Sequence, residues 1–537
     1  MLTPAYPALS GKIFGFNAER DAIVADVVAR EYARKASSES ALELAINDAA
    51  VQEIARLEGS RKSSSLERWR ELYRTLGRRP LADKQALYRR LLDDSARDIV
   101  GNFNPRVYDF ATKAVPYGLT WLFKKQSHLP ALSPSLADRI HVEGHVDTLR
   151  ALAQRGTVIL VPTHSSNLDS LVIGYALYHM GLPPFTYGAG KNLFTNALLS
   201  FFMHNLGAYK VDRRLTYTLY KDVLKTYSTV LLERGYHSLF FPGGGRSRSN
   251  ALESKLKLGL VGTGLAAYIN NLQAGKANPE VFVVPATLNY HLVLEAETLI
   301  DDQLQRVGKS RYIIEDDESA QARRVASFVN QMLKLDTSMV LRFGEPLDPF
   351  GNTVGPDGVS RDLRGRAIDL RKYVEVDGVP QHRAQRDAEY TRELGTAIAS
   401  SYRKNAVVLS THLVAFALFT LAKELHPHLD LFQLLRLPDD TAYPLAMVCE
   451  RIDRLRDRLV ALAEAGEVVL GDHVRDDGTE ALVDQALKIF GVYHTRPLAT
   501  RQGDEVRLVD LKLLLYYHNR LTGYGLEAAL SPQEAHA

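Results

Sequence analysis

Across residues 137–347, short β-rich runs alternate with stretches of helical periodicity, and this alternation limits the fold more than any other feature of the chain. Candidate strands are 157–161, 184–187, 238–241, 281–286 and 339–343. The pattern predicts an α/β fold in which a central mixed or mostly parallel sheet is flanked by helices. Sheets of this kind hold ligands at the carboxyl ends of their strands. Ahead of this region the chain reads as helical, with apolar residues at helical spacing such as Ile23, Val27, Val28 and Tyr32. The expected organisation is a helical N-terminal region (1–126), an α/β domain (127–347), a loop-rich insertion (348–386) and a helical C-terminal region (387–537). The insertion is rich in Gly, Pro and charge. The last region is interrupted by Pro427, Pro438 and Pro444.

Two stretches raise the question of a membrane. Residues 406–422 are the most apolar, but Ser410, Thr411, His412 and Thr420 break a run that would need about 18 apolar residues to span a bilayer. A buried core helix is expected there. Tyr108, Phe110, Tyr117, Trp121 and Phe123 precede Lys124 and Lys125, a grouping that suits a lipid interface or the packing face of a helix, the second being favoured. The start, Met1-Leu2-Thr3-Pro4-Ala5-Tyr6, lacks the basic and apolar regions of a secretory signal. A protein that is soluble or rests on the cytoplasmic side of a membrane is expected, without a transmembrane helix. The lone cysteine, Cys449, excludes an intrachain disulfide framework.

The net charge of +3 says nothing about partners, and nucleic acid is not expected among them. Local charge says more. Residues 207–257 carry ten Lys and Arg against four Asp and Glu, a window suited to an anion or to a solvated basic face.

The chemistry gathers at three places. His164 and Asp169 stand five apart directly after the run Thr157-Val158-Ile159-Leu160-Val161-Pro162. Ser165, Ser166 and Asn167 are N-cap residues, so helical phase is expected near Asn167, bringing Asp169 one turn back to face His164. A carboxylate on one imidazole nitrogen fixes the tautomer and makes the other a better base. Such a base can take a proton from an alcohol attacking an acyl carbonyl. Next, Gly207 precedes Arg213 and Arg214. Then Phe241-Pro242-Gly243-Gly244-Gly245-Arg246-Ser247-Arg248 supplies glycines for close backbone approach, with Arg and Ser as donors to a phosphate. Pro285 ends a candidate strand, either as plain core or as the lining of an acyl channel. The P-loop spacing is absent, so ATP binding is unsupported. Neither a G-x-S-x-G elbow nor metal-ligand spacing accompanies His164, which favours direct attack by a bound alcohol.

In this order the blocks resemble the glycerolipid acyltransferases, whose pattern is H-x4-D, a Gly-and-Arg block, F-P-E-G-x-R-S and a late proline block. The resemblance is closest to the glycerol-3-phosphate and dihydroxyacetone-phosphate branch. It rests there on Arg246-Ser247-Arg248, on Gly190-Lys191-Asn192-Leu193 and on a long helical C-terminal region with Asn405-Ala406-Val407-Val408-Leu409-Ser410 and Leu513-Leu514-Leu515-Tyr516-Tyr517-His518-Asn519-Arg520. It implies His164 as general base, Asp169 as its orienter, and Gly207, Arg213, Gly244, Arg246 and Ser247 around the acceptor phosphate, with Arg214 and Arg248 as alternative ligands. The implied reaction transfers a fatty acyl group from acyl-CoA or acyl-carrier protein to glycerol 3-phosphate, with no metal or redox cofactor. Dihydroxyacetone phosphate or lysophosphatidate is the alternative acceptor. One departure stands out: Gly243 occupies the place of the family's glutamate. This implies a pocket tuned to a different polyol phosphate or weakened activity, and it keeps a non-catalytic lipid- or phosphate-binding protein as the rival reading.

Overall fold

The computed structural model describes residues 11–58, 64–112, 139–191, 197–307, 324, 328, 339–439 and 441–530. Tyr117, Trp121, Phe123, Lys124, Lys125, Asn192 and Leu193 lie outside them.

Seven strands form the central sheet: β1 (Ile140–Gly144), β2 (Thr157–Pro162), β3 (Thr186–Gly190), β4 (Ala208–Val211), β5 (Ser238–Leu239), β6 (Val281–Asn289) and β7 (Met339–Phe343). Their order is β1-β7-β6-β2-β5-β3-β4. Every neighbouring pair is parallel except β6 and β7. The sheet is thus mostly parallel, with β1 and β7 running against the other five.

Apolar runs account for its centre. All residues of β2 and β6 are buried, as strands covered on both faces must be. Successive side chains point to opposite faces. Val158 and Leu160 accordingly join the core with helices Val146–Arg155 and Asp169–His179. Ile159 and Val161 face helices Thr263–Gln273 and Ala384–Asn405.

Helices Phe16–Lys35, Glu39–Glu58, Ser64–Thr75 and Leu81–Ile99 precede the sheet. The first buries Ile23, Val27 and Val28, the face given by their spacing. With the helix Thr218–Glu233 and Tyr209 of β4 they make a second core. After the sheet, residues 348–386 contain two short hairpins, one at Thr353–Val354 and Ser360–Arg361, the other at Glu375–Val376 and Val379–Pro380.

The apolar stretch 406–422 is a short strand, Val407–Val408, followed by the helix Ser410–Leu425, in which every residue from Ser410 to Ala422 is buried. Among the described residues no helix is long and apolar enough to cross a membrane. The C-terminal helices share the core of the sheet. Polar ties add to this. The Tyr402 hydroxyl donates to the carbonyl of Val161 at 2.9 Å. The buried guanidinium of Arg520 donates to the Leu288 carbonyl and to Asn289 Oδ1, each at 2.8 Å.

Candidate active site

Segments leaving the carboxyl ends of β2, β4, β5 and β6 supply the site. After β2 the chain turns through Thr163 to His164, whose Nδ1–H donates to Oδ2 of Asp169 at 2.8 Å. The same oxygen accepts the backbone N–H groups of Ser165 (2.7 Å) and Ser166 (3.0 Å). Oδ1 accepts the Tyr290 hydroxyl at 2.7 Å. Asp169 is fully buried, and these four donors replace the water it loses. The helix begins at Asp169, two residues later than expected, and no side chain caps it. Ser165 and Ser166 spend their N–H groups on Asp169 instead.

The His164 ring stacks on Phe241, with centroids 4.0 Å apart and planes 18° apart. Nδ1 is committed to Asp169, so Nε2 carries the free lone pair, and 12 % of the side chain reaches solvent. Burial lowers the His164 pKa, Asp169 opposes this, and the positive charges of Arg246 and Arg213 reinforce it. The imidazole is therefore neutral near pH 7, the form a general base requires.

The turn after β5 is bound to this centre. The Ser247 N–H donates to the His164 carbonyl at 2.7 Å, and the Lys257 N–H to the Pro242 carbonyl at 2.7 Å. Gly244 takes a φ of 73°, in the region that favours glycine. A side chain there would also meet that of Lys257, whose Nζ lies 2.8 Å from the place of its Cβ. Arg213 Nη1 comes within 3.3 Å of the Cβ position at Gly245. Arg246 Nη1 lies 3.5 Å from Oε1 of the fully buried Glu295. Burial, with Arg246 and Arg248 as positive neighbours, lowers the Arg213 pKa. Among the described residues Arg213 has no hydrogen bond or ion pair. Arg213, Arg246 and Lys257 thus present positive charge around a glycine turn next to His164, an arrangement suited to a phosphate.

The side chains of the other residues singled out in the sequence are engaged with other groups or lie within the strands. Arg214 folds back on Asp212, donating from Nη2 at 2.9 Å and Nε at 3.0 Å. Arg248 pairs with Asp302. The Ser247 hydroxyl donates to the Ala251 carbonyl at 2.8 Å, so it holds the turn. Gly207, at a φ of 90°, directly precedes β4 and donates its N–H to the Asn102 carbonyl. It lies a strand length from Arg213. Pro285 is buried within β6 opposite Val161 of β2.

Three partners of the site were not read from the sequence. Tyr290 follows β6. Glu295 accepts the Ser166 hydroxyl (2.8 Å) and the Asn167 N–H (3.0 Å) and so shapes the loop between His164 and Asp169. Glu253 Oε1 accepts the N–H of His164 at 3.0 Å. Glu295 had a usable signal: an acid inside the apolar run Leu292-Val293-Leu294-Glu295-Ala296 has to be partnered.

Residues 140–288 match the family model described as Acyltransferase. A glycerol-3-phosphate acyltransferase of Actinobacillus succinogenes is 28 % identical over 360 residues, covering 65 % of this chain and 40 % of that protein. One from Pseudomonas syringae pv. tomato is 28 % identical over 280 residues, 52 % of this chain and 30 % of its own. One from Haemophilus ducreyi is 27 % identical over 383 residues, 68 % and 41 %. The chain thus spans less than half the length of these relatives. A solved 1-acyl-sn-glycerophosphate (LPA) acyltransferase from Thermotoga maritima aligns with 45 % of this chain and 68 % of its own at 15 % identity, but with a TM-score of 0.23, too low to bear on the fold. The chain carries an acyltransferase domain.

Proposed function

We propose that the protein is a glycerol-3-phosphate 1-O-acyltransferase, taking a fatty acyl group from acyl-CoA or acyl-carrier protein. The observation that carries this reading is the His164–Asp169 pair at 2.8 Å, its free nitrogen next to the cationic glycine turn. Arg213, Arg246 and Lys257 hold the phosphate of the acceptor. Nε2 of His164 takes the proton of the sn-1 hydroxyl as its oxygen attacks the thioester carbonyl. The C–S bond then breaks, and the imidazolium returns its proton to the departing thiolate. Asp169 stabilises the imidazolium in between, in the tautomer that Nδ1 already dictates. Fixing the alcohol by its phosphate makes the attack effectively unimolecular, which contributes several kcal/mol at about the scale known for oriented reactants.

The thioester supplies the activation, so no cofactor is required. Donor and product are lipidic, and the protein works at the cytoplasmic membrane surface by peripheral contact. Leu171 and Phe201, 55 % and 50 % exposed on the helices after β2 and β3, offer apolar side chains for it.

Acyl transfer by the purified chain tests the reading. Palmitoyl-CoA and palmitoyl carrier protein are each offered with glycerol 3-phosphate, dihydroxyacetone phosphate or lysophosphatidate, beside His164→Ala. Histidine-dependent ester from glycerol 3-phosphate is expected. Binding of the phosphate acceptor without turnover, unchanged in His164→Ala, would make the chain a binding protein.

A further inference from the structure

Gly243 is not an empty place. A Cβ on it would lie 3.0 Å from both Cγ and Oε1 of Glu253 and 3.4 Å from Cδ. The carboxylate that reaches it comes from ten residues further along. The chain brings it there by closing residues 242–257 on themselves. Besides the Lys257–Pro242 and Ser247–His164 backbone bonds and the Ser247–Ala251 bond, Asn250 is buried and turns at a φ of 65°. The returning arm lays Glu253 against Gly243 and directs Oε1 to the peptide N–H of His164, 3.0 Å away.

We propose that Glu253 is the positioning carboxylate of this site, filling the volume of a side chain at residue 243 and holding His164 by its backbone N–H. Glycine at 243 is then the condition for Glu253 to enter. It does not mark a site that has lost its acid, and the glutamate of the family pattern has in effect been moved ten residues along the chain. The inference rests on acyl transfer as proposed above for its kinetic readout, though not for its structural one. The surroundings agree with it. Burial pushes the Glu253 carboxyl up to about 7, against the His164 N–H and the charge of Arg520. Carboxylates perturbed by burial cluster at functional sites. Glu253 acts through the placement of His164, so its loss falls on kcat and leaves acceptor affinity in place.

The test uses the full chain and four variants: Glu253→Ala, Glu253→Gln, Gly243→Glu and Gly243→Glu/Glu253→Ala. Glu253→Ala should lower kcat by about tenfold or more, with KM for glycerol 3-phosphate within about twofold of the parent. Glu253→Gln, which keeps an oxygen for the N–H, should retain most of the rate. Gly243→Glu alone should fall as far as Glu253→Ala, because two side chains compete for one space. The double variant should recover to within about threefold of the parent. Unchanged kcat in Glu253→Ala, or a double variant no better than it, overturns the proposal.

The His164 ring resonance, assigned by its loss in His164→Ala, gives a reading that needs no turnover. Its titration should move in Glu253→Ala and return in the double variant. If the parent makes no histidine-dependent ester, the proposed reaction fails, and this titration alone decides on Glu253: no movement overturns its role. If Glu253→Ala does not fold, Glu253→Gln and the double variant carry both comparisons.

Discussion

The phenol of Tyr290 donates to Oδ1 of Asp169 at 2.7 Å, across 121 residues of chain. The strand that brings it, β6, is the neighbour of β2, from which His164 emerges. The register of two adjacent strands thus delivers one of the four donors that hold the orienting carboxylate. Tyr290→Phe leaves a buried carboxylate oxygen without its donor. It should cost about 1–3 kcal/mol of stability and lower kcat several-fold, with acceptor KM little changed. Denaturant unfolding and steady-state kinetics on one preparation check both.

Arg213 and Arg214 are adjacent but do different things. Arg213, unpaired among the described residues, reaches the glycine turn, and Arg214 is held by Asp212. Arg213→Ala should raise KM for glycerol 3-phosphate by about tenfold or more, the scale of one charge-assisted contact. Arg214→Ala should change it by less than about twofold. Equal effects in initial-rate assays would remove Arg213 from the phosphate site.

The pH dependence follows from the depressed pKa of His164. Only the neutral ring accepts the proton, so kcat/KM should fall as pH drops through a value below 6.5 and level off above it. Arg213 contributes to the depression, and Arg213→Ala should move this acid limb upward. Stability carries two opposite signs. The depressed His164 stabilises the fold above its unfolded pKa and loses this as pH falls. The raised Glu253 contributes stability below 4.5 that is lost as pH rises towards about 7. Unfolding midpoints of Glu253→Gln across that window should decline less than those of the parent.

Glu295 gathers the Ser166 hydroxyl, the Asn167 N–H and the guanidinium of Arg246 in one buried place. Glu295→Ala leaves all three without it, which should cost about 3–5 kcal/mol. Activity should fall through both kcat and acceptor KM, because the histidine loop and a phosphate ligand loosen together. Thermal unfolding with kinetics on the folded fraction tests this.

The sequence made the centre of the fold readable because its strands are apolar runs. Thr157–Pro162, Val281–Asn289 and Met339–Phe343 all contain the stretches expected as strands. The strands passed over, β1 and β4, are the sheet's two edges, where Ile140-His141-Val142-Glu143 and Ala208-Tyr209-Lys210-Val211 mix polar with apolar residues. The reversal of β7 beside β6 has no local signature. His164 and Asp169 were readable because they are five residues apart. Tyr290 was not, and the apolar run around Glu295 marks a buried acid without naming its partner, since only the β2–β6 pairing carries them to the site across more than a hundred residues. Gly243 read as a departure from the family pattern, with a retuned pocket or weakened activity as its consequence, because Glu253 reaches it through a loop whose closure depends on tertiary hydrogen bonds.

The match to the family model ends at residue 288, inside β6. Tyr290 and Glu295 come after it, as do the strand pairing β6 on its open side, Tyr402 on Val161 and Arg520 on Leu288. The family model therefore covers less of the chain than the stretch that must fold together. A fragment cut to the borders of that match would keep His164, Asp169 and Glu253 and lose Tyr290 and Glu295, which brace the loop between the first two. Recombining this domain with other C-terminal regions would require replacing the far side of its sheet as well.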